Sequence, residues 1–174
     1  MNYATVKTHD VANGPGVRVS LFVSGCTHHC PGCFNAEAWD FGYGQPFTDE
    51  TEHLIMDALA PAYIKGFSLL GGEPFEPCNQ ATLVGLVEKI KKAYPNKTVW
   101  CYSGYTFERD IAAFRLGDAN VTKRMLNCID VLVDGRFEQD KKDLSLKFRG
   151  SSNQRIIDVP ASLAKGEVIL LDMI

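Results

Sequence analysis

Short unbroken apolar runs alternate along this chain with stretches in which apolar residues recur at helical spacing. Val17–Val23, rich in β-branched residues, reads as a strand that runs straight into Ser24-Gly25. Thr48 then stands as an N-cap before Asp49, Glu50 and Glu52, and Leu54, Ile55, Ala58, Leu59 and Ala62 follow as a helical stripe. Residues 66–70 form a second apolar run, ending at Gly71-Gly72. Asn79 is positioned to cap a second helix with the stripe Leu83, Val84, Val87 and Ile90, and Pro95-Asn96 ends it. Residues 98–102 and 129–133 read as further strands, with short helices over 106–114 and 121–127 between them. The polar stretch 136–152 has no clear period and reads as loop. Residues 155–159 and 168–171 read as two last strands, too close together for a crossover helix.

Strands alternating with helices imply βαβ units and a parallel sheet. A closed eight-stranded barrel needs about 200–250 residues, and this chain has 174. The expected fold is therefore α/β, an open, partial parallel (β/α) barrel of about four to six strands, in a single domain over 1–174. In such sheets the functional loops follow the C-terminal ends of the strands. The cysteine-rich stretch, Gly71-Gly72-Glu73-Pro74, Ser103-Gly104 and Asp134-Gly135-Arg136 all fall at such ends, so four loops of unusual chemistry are expected at one edge.

Composition narrows the field. With 45% hydrophobic and 22% charged residues the chain can form an ordinary core. Its 18 basic and 21 acidic residues, a net charge of −3, argue against a broad nucleic-acid surface. No apolar run is long enough to span a membrane, and the N-terminal residues lack the apolar segment of a leader, which reads as cytoplasmic.

The six cysteines point to chemistry. Cys26, Cys30 and Cys33 lie in one C-x3-C-x2-C loop, whereas Cys78, Cys101 and Cys128 are scattered. Such a cluster in a reducing compartment indicates metal or redox chemistry more than disulfides. Zinc prefers four ligands from two separated pairs, and His28 and His29 are crowded between ligand cysteines. Iron–sulfur clusters are held by thiolates. Three local cysteines would leave one iron of a [4Fe-4S] cube open to a substrate, unless Cys78, just past the Gly-Gly-Glu-Pro loop, closed it.

The C-x3-C-x2-C loop after one strand and Gly71-Gly72-Glu73-Pro74 after the next resemble the radical S-adenosylmethionine (SAM) superfamily. Residues 13–18 (Asn-Gly-Pro-Gly-Val-Arg) and Ser24-Gly25 narrow the resemblance to the glycyl-radical activating enzymes. Residues 24–35, 44–47, 131–135 and 149–154 are similar to the family that activates anaerobic ribonucleoside-triphosphate reductases. The tail 156–174 contributes nothing to it.

The resemblance implies that Cys26, Cys30 and Cys33 bind three irons and that SAM chelates the fourth. Gly71 and Gly72 would let backbone approach the methionine moiety, and Glu73 would accept from its ammonium. Ser103, Asp134 and Arg136 would contact the SAM ribose or carboxylate, and the backbone of Gly32, Cys33 and Phe34 the adenine. Asn13, Gly14, Arg18, Arg149 and Asn153 fall on loops expected to dock the partner. The implied reaction passes one electron from the reduced cluster to SAM, and the resulting 5′-deoxyadenosyl radical takes a hydrogen atom from a partner glycine. The implied partner is the large subunit of the reductase, with reduced flavodoxin as electron donor. Three alternatives stand beside this: a compact radical SAM enzyme for a small molecule, a ferredoxin-like carrier, and a zinc-binding interaction module.

Overall fold

A computed structural model describes residues 1–172; Met173 and Ile174, the end of the expected domain and tail, lie outside the described residues. Seven strands form one mixed sheet: β1 (Asn2–Asp10), β2 (Val17–Val23), β3 (Gln45–Pro46), β4 (Ile64–Gly71), β5 (Thr98–Ser103), β6 (Val131–Asp134) and β7 (Arg155–Asp158). Their order across the sheet is β3-β1-β2-β4-β5-β6-β7. β2, β4, β5 and β6 are mutually parallel, as expected. β1 and β7 add antiparallel flanks, and the sheet does not close. The expected α/β class and open sheet hold, whereas the partial parallel barrel of about four to six strands is corrected to a mixed sheet of seven strands with a four-stranded parallel centre.

β1 escapes the sequence reading because its burial alternates between intermediate, exposed and buried positions, with Thr5, Lys7 and His9 outward. It pairs with β2 over most of its length, so its place rests on a partner strand more than on apolar content. The central strands are apolar at successive positions because both of their faces are buried. Leu69, Val99, Cys101, Leu132 and Ile157 pack under α1 (Asp49–Leu59), α2 (Pro77–Ala93) and α3 (Ala119–Asn127). Trp100, Val131, Val133 and Ile156 point to the other face, where Tyr102, Phe148 and Leu171 cover them.

Helix ends show where local signals competed. Thr48 caps α1 in a reciprocal box with Thr51. Glu76, not Asn79, stands at the N-cap of α2, with Pro77 at its first position. Asn79 is instead buried, its amide donating to the Ser24 and Glu73 carbonyls. A wide π-helical turn spans Phe107–Ile111, with Ala112 N donating to Phe107 O, and Asp118 caps α3 through the Asn120 and Val121 amides. The chain after β7 forms a short helix, α4 (Val159–Lys165), ended by Gly166 at positive φ. The strand expected over 168–171 reduces to one antiparallel bridge, Ile157 to Leu170.

Candidate functional site

Parallelism of β2, β4, β5 and β6 brings their C-terminal ends to one edge, and the four following loops meet there. They border a cavity of about 510 Å3 lined by Cys26, Cys30 and Cys33, by Gly71, Gly72 and Glu73, by Ser103 and Gly104, and by Gly135. Its opposite wall is the 142–150 segment, including Leu144, Phe148 and Arg149. Asn13, Gly32 and Phe34 also line it, as does Tyr102, whose buried hydroxyl has no hydrogen-bond partner among the described residues.

The cysteine loop is pinned from below. Gly25 N donates to Ala38 O at 2.8 Å, and Cys26 N to Trp39 O at 3.1 Å. Glu73 N donates to Gly25 O at 2.8 Å and Gly72 N to Val23 O at 2.7 Å, stitching the Gly-Gly-Glu-Pro loop to the cysteine loop. A Cβ on Gly72 would sit 2.5 Å from Gly25 O and 2.9 Å from Ala38 O, so glycine is required by backbone packed against backbone. Gly71 holds φ +113°, a conformation that disfavours side chains.

The sulfurs are poised unequally. Burial pushes the Cys26 thiol up to about 12; the His28 and His29 amides oppose that, and the charges of Glu73 and Glu76 reinforce it. Burial also raises Cys30, while the Phe137 amide and Arg136 pull it down. Among the described residues no three His, Cys, Asp or Glu side chains converge where a single ion would sit. Three thiols from one loop border one cavity, and a cube takes one thiolate per iron, so the donor set fits an iron–sulfur cluster. Cys78 is exposed at the start of α2 and does not line the cavity, Cys101 is buried on the helix side of β5, and Cys128 caps α3.

Several expected residues are placed differently. Glu73 is fully buried with its carboxylate satisfied by the chain: Oε1 accepts from Phe75 N and Ser103 Oγ, and Oε2 from Gly104 N and His28 Nε2, each at 2.7–2.9 Å. It staples three loops together while still lining the cavity. Ser103 is engaged in the same staple. The Asp134 carboxylate is turned away from the cavity, accepting from Phe107 N and from Arg155, which also pairs with Glu108. Arg136 is exposed beside Cys30 and does not line the cavity.

Arg18 and Gly14 are buried, which corrects their assignment to a docking surface. The Arg18 guanidinium donates to Ser68 Oγ, Thr98 Oγ1 and the Phe67 and Thr98 carbonyls, and lies over the Trp100 ring. Burial lowers its pKa to about 10. It clamps three parallel strands from within. Asn13 lies at the cavity edge bonded to Asp10, and Arg149 is half-buried on the cavity wall, its Nη1 donating to Gln154 O. Asn153 donates to Arg136 O and ties the 149–154 segment to the loop after β6.

Three residues that hold the loop escape a sequence reading. His28, set aside as crowded, is buried between Glu73 and the edge of the Tyr105 ring. Thr27 donates through both N and Oγ1 to Glu76 Oε1, at 2.8 and 2.6 Å. Adjacency of Thr27 to Cys26 was the only available hint, because Glu76 lies 49 residues away.

Residues 12–157 match the family described as a 4Fe-4S single cluster domain. The anaerobic ribonucleoside-triphosphate reductase-activating protein of Pasteurella multocida is 44% identical over 158 residues, covering 90% of this chain and 96% of the relative. The protein of that name from Escherichia coli K12 is 44% identical over 157 residues, covering 88% and 96%. That from Enterobacteria phage T4 is 40% identical over 156 residues, covering 90% and 93%. The chain belongs to the anaerobic ribonucleoside-triphosphate reductase-activating proteins. The matched span holds the four loops at the strand edge and the Arg155 clamp on Asp134, and stops short of α4 and the residues after it.

Proposed function

We propose that this protein is a radical SAM activase that generates a glycyl radical on the large subunit of an anaerobic ribonucleoside-triphosphate reductase. The observation that carries this reading is the opening of three thiols from one loop into one cavity beside the Gly-Gly-Glu-Pro backbone. The donor set fits a [4Fe-4S] cube with one iron free for SAM, held by Cys26, Cys30 and Cys33. When bound, cluster and SAM supply the electron and the radical that removes a hydrogen atom from the partner's glycine.

The chain's own residues bind, orient and exclude water. The Gly71–Glu73 backbone and the Ser103-Gly104 turn border the volume next to the thiols, where the methionine end of SAM belongs. Gly32, Cys33 and Phe34 border it on the adenine side. Glu73 contributes by fixing those loops relative to one another. Tyr102, Leu146 and Phe148 give the far end an apolar lining suited to a polypeptide segment. Asn13 and Arg149, at the cavity edge and wall, and Asn153, which locks the 149–154 segment, form the docking side. Reduced flavodoxin is the proposed donor.

Anaerobic reconstitution tests this. The expected protein holds about four irons and four sulfides, its reduced EPR spectrum changes on adding SAM, and the reductase acquires a glycyl-radical doublet with 5′-deoxyadenosine released. An iron-loaded protein whose spectrum ignores SAM would sink the reading and leave an electron carrier.

A further inference from the structure

Two buried carboxylates stand directly beneath the cysteine loop, and neither is spent on its own helix or on a lysine or arginine. Glu76 occupies the N-cap of α2, yet its side chain makes no capping bond there. It reaches across to the loop that follows β2 and accepts both the N–H and the hydroxyl of Thr27, next to Cys26. Glu73 takes His28, the next residue along, at 2.9 Å. Consecutive residues of the cysteine loop are therefore each tied to a separate carboxylate. Glu76 is 5% exposed and Glu73 0%, and among the described residues the one ion-pair contact of either is that between Glu73 and His28. The positive end of α2 makes a buried carboxylate tolerable at Glu76 without cancelling its charge.

We propose that Glu76 is a positioning residue for the cluster: through Thr27 it holds the segment carrying Cys26, and its charge, added to that of Glu73, depresses the cluster's reduction potential. The proposal rests on the reading that Cys26, Cys30 and Cys33 hold an iron–sulfur cube. One observation supports it besides the hydrogen bonds: Glu73 and Glu76 are both buried beside the loop that carries Cys26. Both are shielded from water, so their field is weakly screened. One-electron reduction adds one unit of negative charge to the cluster, while the reductant loses one electron. Fixed negative charge nearby makes that addition harder and the reduced cluster a stronger donor, since net charge, hydrogen bonding and solvent exposure set such potentials.

The test separates charge from geometry with three variants of the full chain, reconstituted anaerobically. Glu76→Gln keeps an oxygen acceptor for Thr27 and removes the charge; its cluster midpoint, read by EPR in a mediated titration with dithionite, should move to more positive potential. Glu76→Asp keeps the charge but shortens the reach, and Thr27→Val removes the hydroxyl while leaving the backbone bond. Both should stay near the wild-type midpoint, with lower iron retention on gel filtration as the sign of a loosened loop. Glu76→Gln titrating with the wild type would overturn the proposal, as would Glu76→Asp or Thr27→Val shifting as far as Glu76→Gln. Loss of the cluster from Glu76→Gln alone would overturn it too, because the retained acceptor should keep the loop pinned. A wild-type chain that assembles no cube would overturn the underlying reading itself, an outcome visible in iron counts before any variant is titrated.

Discussion

Single side chains divide cleanly into those that border the cavity and those that do not, and the cysteines are the plainest case. Replacing Cys26, Cys30 or Cys33 by Ala should abolish SAM cleavage, because each thiolate serves one iron. Cys78→Ala, Cys101→Ala and Cys128→Ala should retain the cluster at a stability cost of about 1 kcal/mol. Iron counts and deoxyadenosine yields on the six proteins check this, and loss of the cluster from Cys78→Ala with retention in Cys30→Ala would reverse the ligand assignment. A second expectation follows from burial. The Cys26 thiol, pushed up to about 12, is protonated at neutral pH and must release its proton on binding iron. Thiolate rises as pH rises towards that value, about tenfold per unit, so reconstitution should accelerate from pH 7 to 9. Iodoacetamide on the apo-protein should label exposed Cys78 before Cys26 or the fully buried Cys101. Early labelling of Cys26, read by peptide mass spectrometry, would contradict the buried placement.

Between elements, the loops after β2 and β4 behave as one unit. They share the Glu73 N to Gly25 O bond, the Asn79 amide that reaches both, and the Thr27 and His28 contacts to Glu76 and Glu73. Gly72 sits where they touch, so Gly72→Ala drives a methyl group into two carbonyl oxygens of the cysteine-loop side. Overpacking of this kind commonly costs about 1–3 kcal/mol. The expected outcome is a lowered melting temperature together with reduced iron content, since the clash displaces the loop that carries Cys26. A variant of wild-type stability that fails only in SAM affinity would place the glycine's role on the cofactor instead of on the chain. His28, Thr27, Glu76 and Asn79 were not legible as members of this unit. His28 reads locally as a crowded histidine and Asn79 as a helix cap, and Thr27 and Glu76 carry no local signal of a partner, because the partners that join the loops are 45 to 55 residues away.

At the scale of the whole molecule, one sheet edge and one covering segment define an opening. Residues 142–150 cross it, leaving Leu144 89% exposed at the rim and Phe34 83% exposed on the cysteine side. Exposed apolar side chains bordering an apolar cavity suit a protein partner. Arg149 stands on that wall, and removing an anchoring arginine from an interface commonly costs about 2 kcal/mol. Arg149→Ala should weaken reductase activation by roughly 30-fold on that figure, while deoxyadenosine formation with dithionite and SAM alone persists. Following the glycyl-radical doublet and deoxyadenosine in the same samples decides it. Equal losses would assign Arg149 to the cofactor, and full retention of both would make it a surface charge.

The cysteine spacing, the Gly-Gly-Glu-Pro run and the apolar runs of the four parallel strands are local patterns, and the sequence by itself determined from them the α/β class, the family and the edge at which the loops gather. Period and spacing survive folding unchanged, which is why these were legible. Tertiary structure alone decided the rest. It recruited polar β1 and converted the tail into α4, since pairing and packing outweighed weak local preference. It buried Arg18, a residue whose charge would put it on the surface, because five oxygen and aromatic partners from other strands surround it. It also bound the Glu73 carboxylate into donors from three loops and turned Asp134 away from the cavity. A carboxylate's role depends on which donors reach it, and those donors come from distant segments that only the folded chain brings together.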